Sequence, residues 1–134
     1  MTPFALKIVT PDGLLFDGMA EEVIVRTVTG DMAFLARHTN CVAPLGMGRA
    51  TIVTEGNRRY AACIGGMVSV IDGQVTLVPT TFEWAENIDV QRAENAADRA
   101  KSVLGNKDSS DAEIRMAQTR LKRALVRSGV AKSL

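Results

Sequence analysis

The sequence predicts a mainly β, then α protein: an N-terminal antiparallel β-module, either a sandwich or a barrel, followed by a C-terminal antiparallel pair of helices. Upstream of Trp84, apolar and polar residues alternate, and nine of the eleven glycines and all four prolines lie there. Residues 88–128 have no proline and one glycine, and are rich in Ala, Arg, Glu and Leu. Period two is typical of strands, and a long stretch without breakers is typical of helices. We place the domains at residues 1–86 and 87–134.

Nine apolar runs predict the strands of the first domain. In chain order they are residues 4–8, 14–16, 23–25, 32–35, 42–45, 50–53, 59–64, 67–71 and 75–78. Four turn signals separate some of them: Pro11-Asp12-Gly13, Gly30-Asp31, Glu55-Gly56-Asn57 and Asp72-Gly73. The last two tolerate the positive φ angles of tight hairpins. Many closely spaced strands without an intervening helix favour a compact antiparallel module.

Two helices are predicted in the second domain. The first runs from Asp89 to Leu104 with Asn87 or Asp89 as its cap, and the second opens with the capping box Ser110-x-x-Glu113. The predicted apolar stripes are Ala93, Ala97, Ala100 and Leu104 on one helix and Ala117, Leu121, Ala124 and Leu125 on the other. The short linker predicts an antiparallel pair. Because alanines bury little area, the pair is marginal alone.

Length and composition bound the class of protein. The 134 residues suit one domain, or a small domain with an appendage. No apolar run approaches the ~18 residues of a membrane span, and the first residues lack the features of a signal peptide. We therefore expect a cytosolic chain of bacterial type that does not itself span the membrane. In that compartment Cys41 and Cys63 are predicted to be small buried hydrophobes.

Charge is divided unevenly between the two domains. Residues 1–86 have six basic and nine acidic side chains, whereas residues 87–134 have ten basic and six acidic ones. Arg92 and Arg99 share one helical face, and Arg120, Arg123 and Arg127 share another. Guanidinium groups bind phosphate oxygens in bidentate pairs, so these faces are a candidate anion site. The alternative, which spacing alone favours, is a solvated basic face paired with Glu94, Asp98 and Glu113.

No catalytic residue is predicted. The chain lacks a GxxxxGK[ST] phosphate loop, and Gly46-Met47-Gly48 lacks the third glycine of a dinucleotide loop. The single histidine, His38, excludes His-rich metal sites, and a dyad with Cys41 has no supporting pattern. Aromatic residues are 4% and are not interleaved with basic ones, so nucleic acid is not an expected partner. We therefore expect a protein that is not an enzyme.

Motifs along the whole chain, taken together, resemble the epsilon subunits of bacterial F-type ATP synthases. They are Ile8-Val9-Thr10-Pro11, Phe16, Gly30-Asp31-Met32-Ala33-Phe34, His38-Thr39, Ala43-Pro44-Leu45, Gly65-Gly66-Met67-Val68, Trp84-Ala85-Glu86 and Ile88-Asp89-Val90-Gln91-Arg92-Ala93. The resemblance implies a flattened sandwich of about ten strands and a helical hairpin. It implies that the sandwich binds the γ (gamma) subunit and the membrane c-ring, at the cytoplasmic face of the bacterial plasma membrane.

The same resemblance implies regulation by ATP. In that family the hairpin lies folded, or extends along γ into the α/β catalytic hexamer, where it hinders ATP hydrolysis. Some members bind ATP in the folded hairpin through an I/L-D-x-x-R-A motif. The residues matched to that role are Glu83, Ile88, Asp89, Arg92, Ala93, Arg99, Arg123 and Arg127. ATP, alone or with Mg²⁺, would be a regulatory ligand, and no cofactor would be required.

Two subunit interfaces are also implied by the resemblance. The loop at Asp31 would face the c-ring, and His38 and Thr39 would face γ. A function of another class stays open at this point: a purely structural coupling subunit whose arginines contact acidic surfaces of the catalytic subunits and bind no nucleotide.

Overall fold

The structure is a computed structural model that describes residues 1–133. The chain divides into two compact units between Trp84 and Ala85. In residues 1–133, neither helix has the length and apolar character needed to cross a bilayer.

The first unit is a sandwich of two five-stranded sheets. Its strands are β1 (Phe4–Thr10), β2 (Gly13–Ala20), β3 (Glu22–Thr27), β4 (Gly30–Phe34), β5 (Cys41–Pro44), β6 (Met47–Thr54), β7 (Asn57–Ile64), β8 (Met67–Ile71), β9 (Gln74–Val78) and β10 (Thr81–Trp84). The strand orders are β2-β1-β9-β8-β5 and β10-β7-β6-β3-β4. The predicted sandwich is confirmed.

Alternation along the strands builds the core between the sheets. In β1, Leu6 and Ile8 are fully buried, and Val23 and Val25 of β3 are buried in the same cluster. Phe34, at the end of β4, is the largest fully buried side chain. Each such side chain contributes about 1.5–3 kcal/mol by leaving water. This aliphatic core therefore lies entirely within the first unit.

Two strand pairings differ from the prediction. β1 pairs in parallel with β9, through Leu6 opposite Val75 and Ile8 opposite Leu77, although only antiparallel pairs were predicted. Turn signals specify hairpins between neighbouring strands, whereas this pair joins segments far apart in sequence. No apolar run predicted β10, which has four residues and is defined by its antiparallel pairing with β7.

The turn between β3 and β4 lies two residues before its predicted position. It consists of Val28 and Thr29, and the residues predicted to form it, Gly30 and Asp31, already belong to β4. The Thr27 hydroxyl donates a hydrogen bond to the Gly30 carbonyl at 2.7 Å, and Gly30 has φ +126°. A glycine can therefore start the strand directly after the turn. The positive-φ hairpin turns at Glu55-Gly56 and Asp72-Gly73 are confirmed.

The second unit contains a 3₁₀ turn (Ala85–Asn87) and two helices, α1 (Val90–Gly105) and α2 (Asp111–Ala131). Asp89 is the N-cap of α1, because its side chain accepts a hydrogen bond from the Arg92 backbone N–H at 3.0 Å. The capping box predicted for α2 is confirmed: the backbone N–H of Glu113 donates to the Ser110 hydroxyl, and that of Ser110 donates to the Glu113 carboxylate. Side chains thus satisfy orphan N–H groups at both helix starts.

Small residues form the buried faces of the two helices. The buried ones are Ala93, Ala97 and Ala100 of α1 and Ala117, Ala124 and Val130 of α2. Leu104 and Leu121 are half-buried, and Leu125 is 51% exposed, so its predicted place on the apolar stripe is wrong. Leu125 follows the buried Ala124 directly and is turned about 100° from it around the helix. The contact between the helices therefore depends on alanines more than on leucines.

Gly66 supplies the first test of the sandwich. A Cβ there would collide with the carbonyl oxygen of Val78 and lie 2.7 Å from Pro79 Cα, at φ +94°. Gly73 has φ +80° and nothing within 4 Å. We expect Gly66→Ala to lower the free energy of unfolding by about 2–5 kcal/mol, and Gly73→Ala, which carries backbone strain alone, by about 1–2 kcal/mol. Urea denaturation measures both, and equal losses would contradict the collision.

The two thiols supply a second test. Burial raises the pKa of the Cys63 thiol to about 12, whereas Cys41 is half-buried. At pH 8 a thiol reagent should modify Cys41 in the native protein and Cys63 only after unfolding, because the thiolate is the reactive form. The raised pKa also means that this thiol favours folding below pH 9, and that its contribution is lost as the pH rises toward 12. Rapid labelling of native Cys41→Ala protein would contradict the burial of Cys63.

Candidate functional site

An open groove of about 750 Å³ runs along the helical hairpin. Both α1 and α2 line it, and the second unit provides all of its residues. The lining comprises alanines, two larger apolar side chains, four arginines and one glutamate: Ala96, Arg99, Ala100, Val103, Ala112, Glu113, Met116, Ala117, Arg120, Arg123, Ala124 and Arg127. The groove is therefore apolar at its base and basic along its walls.

Helical spacing brings the arginines together. Arg120, Arg123 and Arg127 follow one another at i, i+3 and i+7 on one face of α2, and they span about 10 Å along its axis. Arg99 of α1 lines the same groove. The small buried side chains of Ala100 and Ala124 allow the two backbones to approach, so arginines on separate helices share one groove.

Three of these guanidinium groups have no carboxylate partner in the part of the chain that the structure describes. Within residues 1–133, no acidic side chain lies within ion-pair distance of Arg99, Arg120 or Arg123. The nearby Glu94, which the solvated-face alternative would pair with an arginine, lies 3.7 Å from the ammonium of Lys132 instead. Among the described residues, the neutralising ion pairs of the solvated-face alternative are thus absent for these three arginines.

Glu113 is the acidic residue of the groove lining, and it already has a structural role. Its carboxylate accepts the Ser110 backbone N–H at 3.0 Å, and this hydrogen bond lowers the pKa of Glu113 below its usual value. The carboxylate is therefore ionised at neutral pH but committed to the start of α2. The four arginines leave the groove with an excess of positive charge.

The structure places the residues of the Ile88–Ala93 motif outside the lining of the groove. Ile88 and Ala93 are buried, with 8% and 5% exposure, and the Asp89 carboxylate caps α1 through the Arg92 N–H. None of the four is among the lining residues of the groove. Arg92 lies seven residues before Arg99, about 10 Å away along the helix axis. The structure therefore lines one groove with Arg99, Arg123 and Arg127 and leaves Arg92 out of that lining.

Glu83 belongs to the first unit. It lies half-buried in β10, opposite Ala62 of β7. Its neighbours Phe82 and Trp84 make an edge-to-face ring contact with centroids 5.0 Å apart, and the Arg59 guanidinium lies 3.6 Å from the Trp84 ring centroid. Glu83 is therefore held on a strand beside a packed aromatic pair.

Sequence reasoning assigned Arg120 to the basic face of α2 but not to the predicted ATP site. Arg120 nevertheless lines the same groove as Arg123 and Arg127. The signal that could have found it is the i, i+3, i+7 spacing on α2, which puts all three on one face. From the sequence, Glu113 was predicted only as part of a helix cap and as a surface charge. Its place in the groove depends on how α1 packs against α2, which the sequence does not show.

The sequence had indicated a loop at Asp31, but in the structure this residue lies on a strand. It stands directly opposite Arg26 in the β3–β4 pairing, where the guanidinium donates from Nε to Oδ1 and, at 3.5 Å, from Nη2 to Oδ2. The hydrogen bond from Arg26 lowers the pKa of Asp31. Both side chains are at least half exposed, so the pair is accessible on the surface of the first unit.

His38 and Thr39 follow β4 in a loop. The His38 ring lies 4.8 Å from that of Phe34, and its Nδ1–H donates to the Thr39 carbonyl oxygen at 2.8 Å. Both residues line a second cavity of about 630 Å³ in the first unit, together with Arg37, which has φ +64°. A buried aromatic side chain thus fixes the histidine ring at the edge of a surface cavity.

The structure adds no metal site in residues 1–133 to those that the sequence considered. Within residues 1–133, no three His, Cys, Asp or Glu side chains are close enough together to hold a metal ion. The groove of the hairpin provides positive charge and apolar surface. This combination of charge and apolar surface is chemically suited to an anion.

Family comparisons cover almost the whole chain. Residues 3–85 match the β-sandwich domain of the ATP synthase delta/epsilon chain, and residues 86–132 match its long α-helix domain. The ATP synthase epsilon chain of Bacillus velezensis is 41% identical over 131 residues, with 98% of each chain covered. That of Shouchella clausii is 35% identical, with 98% of this chain and 97% of the relative covered.

A solved structure has the same fold at lower identity. The match is to a chain in the structure of the Euglena gracilis mitochondrial ATP synthase OSCP/F1/c-ring, with a TM-score of 0.80 and 22% identity. It covers 91% of this chain and 77% of that one. Together with the domain matches and the full-length bacterial relatives, this confirms the resemblance found in the sequence. The chain belongs to the family of bacterial ATP synthase epsilon chains, the non-catalytic stalk subunits of that complex.

Proposed function

We propose that the two units divide the work of a central-stalk subunit. The sandwich binds the γ subunit and the c-ring at the cytoplasmic face of the membrane and so helps to couple ion flow to rotation. The hairpin binds ATP, alone or with Mg²⁺, as a regulatory ligand. Its state then controls ATP hydrolysis by the α/β hexamer. Family membership supports the first role, and the groove supports the second.

The observation that carries the ATP proposal is that Arg99, Arg120 and Arg123, which line one groove, have no acidic partner within residues 1–133. Like charges three, four or seven residues apart on a helix repel one another, and those on the facing helix add to the repulsion. A bound triphosphate would replace this repulsion with charge-assisted hydrogen bonds. The closed hairpin should therefore be more stable with the ligand than without it.

The arginines and the motif would have separate parts in binding. Arg99, Arg123 and Arg127 would hold the phosphates, with Arg92 at the end of the site. One carboxylate oxygen of Asp89 caps α1, which leaves the other to accept a hydrogen bond from the adenine amino group. The Ile88 backbone and the small side chain of Ala93 would complete the adenine site. A place for Glu83 beside the sugar rests on the family resemblance alone.

Regulation follows from linkage between ligand binding and closure. A ligand that binds only the closed hairpin, at about 100 times its dissociation constant, stabilises that state by roughly 2.7 kcal/mol. A hairpin held mainly by alanines is marginal, so this amount would move it from mostly open to mostly closed. The released helices would extend along γ into the α/β hexamer. Because no lining residue positions or activates water, ATP would be bound and released unchanged.

One observation favours a second candidate, a structural coupling subunit that binds no nucleotide. Ile88 and Ala93 are buried and Asp89 caps a helix, so three motif residues already have structural roles. In that case the exposed arginines would contact acidic surfaces of the catalytic subunits. Direct titration with ATP separates the two candidates.

The first prediction from this proposal concerns ATP binding. The isolated full chain should bind ATP, and Arg99→Ala and Arg123→Ala should each weaken binding by about tenfold, because each removes charge-assisted hydrogen bonds to phosphate. Isothermal titration calorimetry measures the affinities. Arg115→Ala is the matched control, since Arg115 is an exposed arginine of α2 outside the groove.

Two results would contradict the ATP proposal. One is no heat of binding at millimolar ATP. The other is equal affinity in the wild type, the two groove variants and Arg115→Ala, which would place the ligand elsewhere. The first result would favour the structural coupling subunit, which binds no nucleotide, and the second would remove the groove arginines from the ATP site.

A second prediction concerns the sandwich. Asp31→Lys reverses an exposed charge opposite Arg26, so it should weaken coupled proton pumping in the reconstituted complex, if this surface contacts the c-ring. The isolated fold should hold, because exposed ion pairs add little stability. Asp17→Lys, another exposed strand aspartate, is the control. Normal pumping by the Asp31→Lys complex, with its melting curve unchanged, would exclude Asp31 from the coupling interface.

A further inference from the structure

We infer that the outer face of strands β5, β8 and β9 is the surface through which the sandwich binds γ, and that Arg37 at its edge pairs with an acidic side chain of that subunit. The inference rests on the proposed function and deepens it, because it names the contact surface and the chemistry of the partner. The matching surface of γ is apolar and uncharged at its centre, with a carboxylate at one end.

The face is apolar and exposed to solvent. Alternate residues of these strands, such as Val68 and Val75, are buried in the core, so their neighbours point outward. Five of those neighbours are apolar: Val42, Pro44, Met67, Ile71 and Val78. Met67 stands opposite Val78 on one side and Pro44 on the other, and Val42 and Ile71 are 63% and 60% exposed. The apolar side chains therefore form a continuous patch across three strands.

The same face has no charge. The other outward-facing residues are Ser69, Gln74 and Thr76, and strands β5, β8 and β9, all of which the structure describes, contain no charged side chain. An exposed apolar patch without charge is typical of the centre of a protein–protein interface. Anionic lipid or nucleic acid would instead require basic side chains. The occupant of this face is therefore a protein with an apolar surface.

The face adjoins the loop that the family resemblance assigns to γ. β5 begins at Cys41, two residues after Thr39. The side-chain oxygen of Asn40 accepts a hydrogen bond at 2.8 Å from the backbone N–H of Asp72, in the turn between β8 and β9. The loop and this turn also line the cavity of about 630 Å³. One partner surface can therefore cover the loop and the face together, which favours γ over a second copy of the chain.

Arg37 lies in that loop and supplies the charge at the edge of the face. Its φ of +64° is uncommon for a residue with a side chain, and the residue is exposed. Within residues 1–133 no carboxylate lies within ion-pair distance of its guanidinium, although Asp72 lines the same cavity. Strained residues cluster at binding sites, and a guanidinium pairs best with a carboxylate. Arg37 therefore suits an ion pair that forms only in the complex.

The test is binding of the full chain to the α/β/γ complex assembled without it, measured by biolayer interferometry at low and high salt. Val42→Lys and Ile71→Lys should each weaken binding by about tenfold or more, because each places a charge without a partner in an apolar contact. Val28→Lys is the matched control, since Val28 is 65% exposed but lies in the turn between β3 and β4 of the other sheet. Arg37→Gly should weaken binding by about five- to tenfold at low salt and by less at high salt. Its melting temperature should not fall, because a positive φ suits glycine.

A photoreactive amino acid in place of Val42 identifies the occupant. It should cross-link to γ, whereas one in place of Val28 should not. Cross-linking to a second copy or to another subunit would overturn the inference, as would wild-type affinity in both lysine variants of the face. In these cases the wild-type chain still binds the complex, and the proposed coupling role stands. Unchanged affinity of Arg37→Gly at low salt would overturn the ion pair with γ. If the wild-type chain does not bind the complex, the inference and the coupling role fail together.

Discussion

The close contact of α1 and α2 through alanines is the constraint on which the properties of the hairpin depend. Ala93, Ala97 and Ala100 face Ala117 and Ala124 across an interface that larger side chains would hold apart. Because the contact is close, arginines of both helices line one groove. Because the side chains are small, the contact buries little apolar area. Buried apolar area stabilises by roughly 25 cal/mol per Å², so the contact contributes little free energy. The helix contact that brings the arginines into one groove is therefore only weakly stabilised.

Local hydrogen bonds define the helices more strongly than their mutual packing does. The Asp89 cap and the Ser110–Glu113 box fix where each helix begins, and the Ser109 hydroxyl donates to the Val103 carbonyl at 2.7 Å in the linker. These contacts do not need the two helices to stay together along their length. The helices can thus remain formed while their contact changes, as an equilibrium between two states requires. The aliphatic core of the sandwich has no comparable weakness.

The sequence predicted what local chemistry decides. Positive φ at Asp72-Gly73 and the cap residues of both helices follow from a few neighbouring side chains, and all are confirmed. It could not predict the parallel pairing of β1 with β9, because no turn links those strands. It assigned Asp31 to a turn, since a Gly-Asp pair is typical of one, and the hydrogen bond from Thr27 shows that the turn ends earlier.

For the candidate site, helical periodicity was sufficient to predict which arginines of one helix share a face. It was insufficient to predict which residues of the two helices line the same groove. Spacing alone placed Arg120, Arg123 and Arg127 on one face of α2. It also suggested that Arg92 and Arg99 would act together, yet only Arg99 lines the groove, because the part of α1 that faces the groove begins at Ala96, beyond Arg92. Which turns of two helices stand opposite each other depends on tertiary packing, and a single sequence does not reveal it.

The Ile88–Ala93 motif has a structural role that does not involve a ligand. Asp89 is the N-cap, and Ile88 and Ala93 occupy the positions before the cap and in the first turn where apolar residues commonly secure a helix start. Loss of ATP binding after mutation of these residues could therefore reflect a disordered helix start as well as a lost contact. The groove arginines lack this ambiguity, because Arg99, Arg120 and Arg123 are exposed and make no ion pair within residues 1–133. Their substitution changes charge in the groove while the caps and the alanine interface stay in place, so they separate binding from folding.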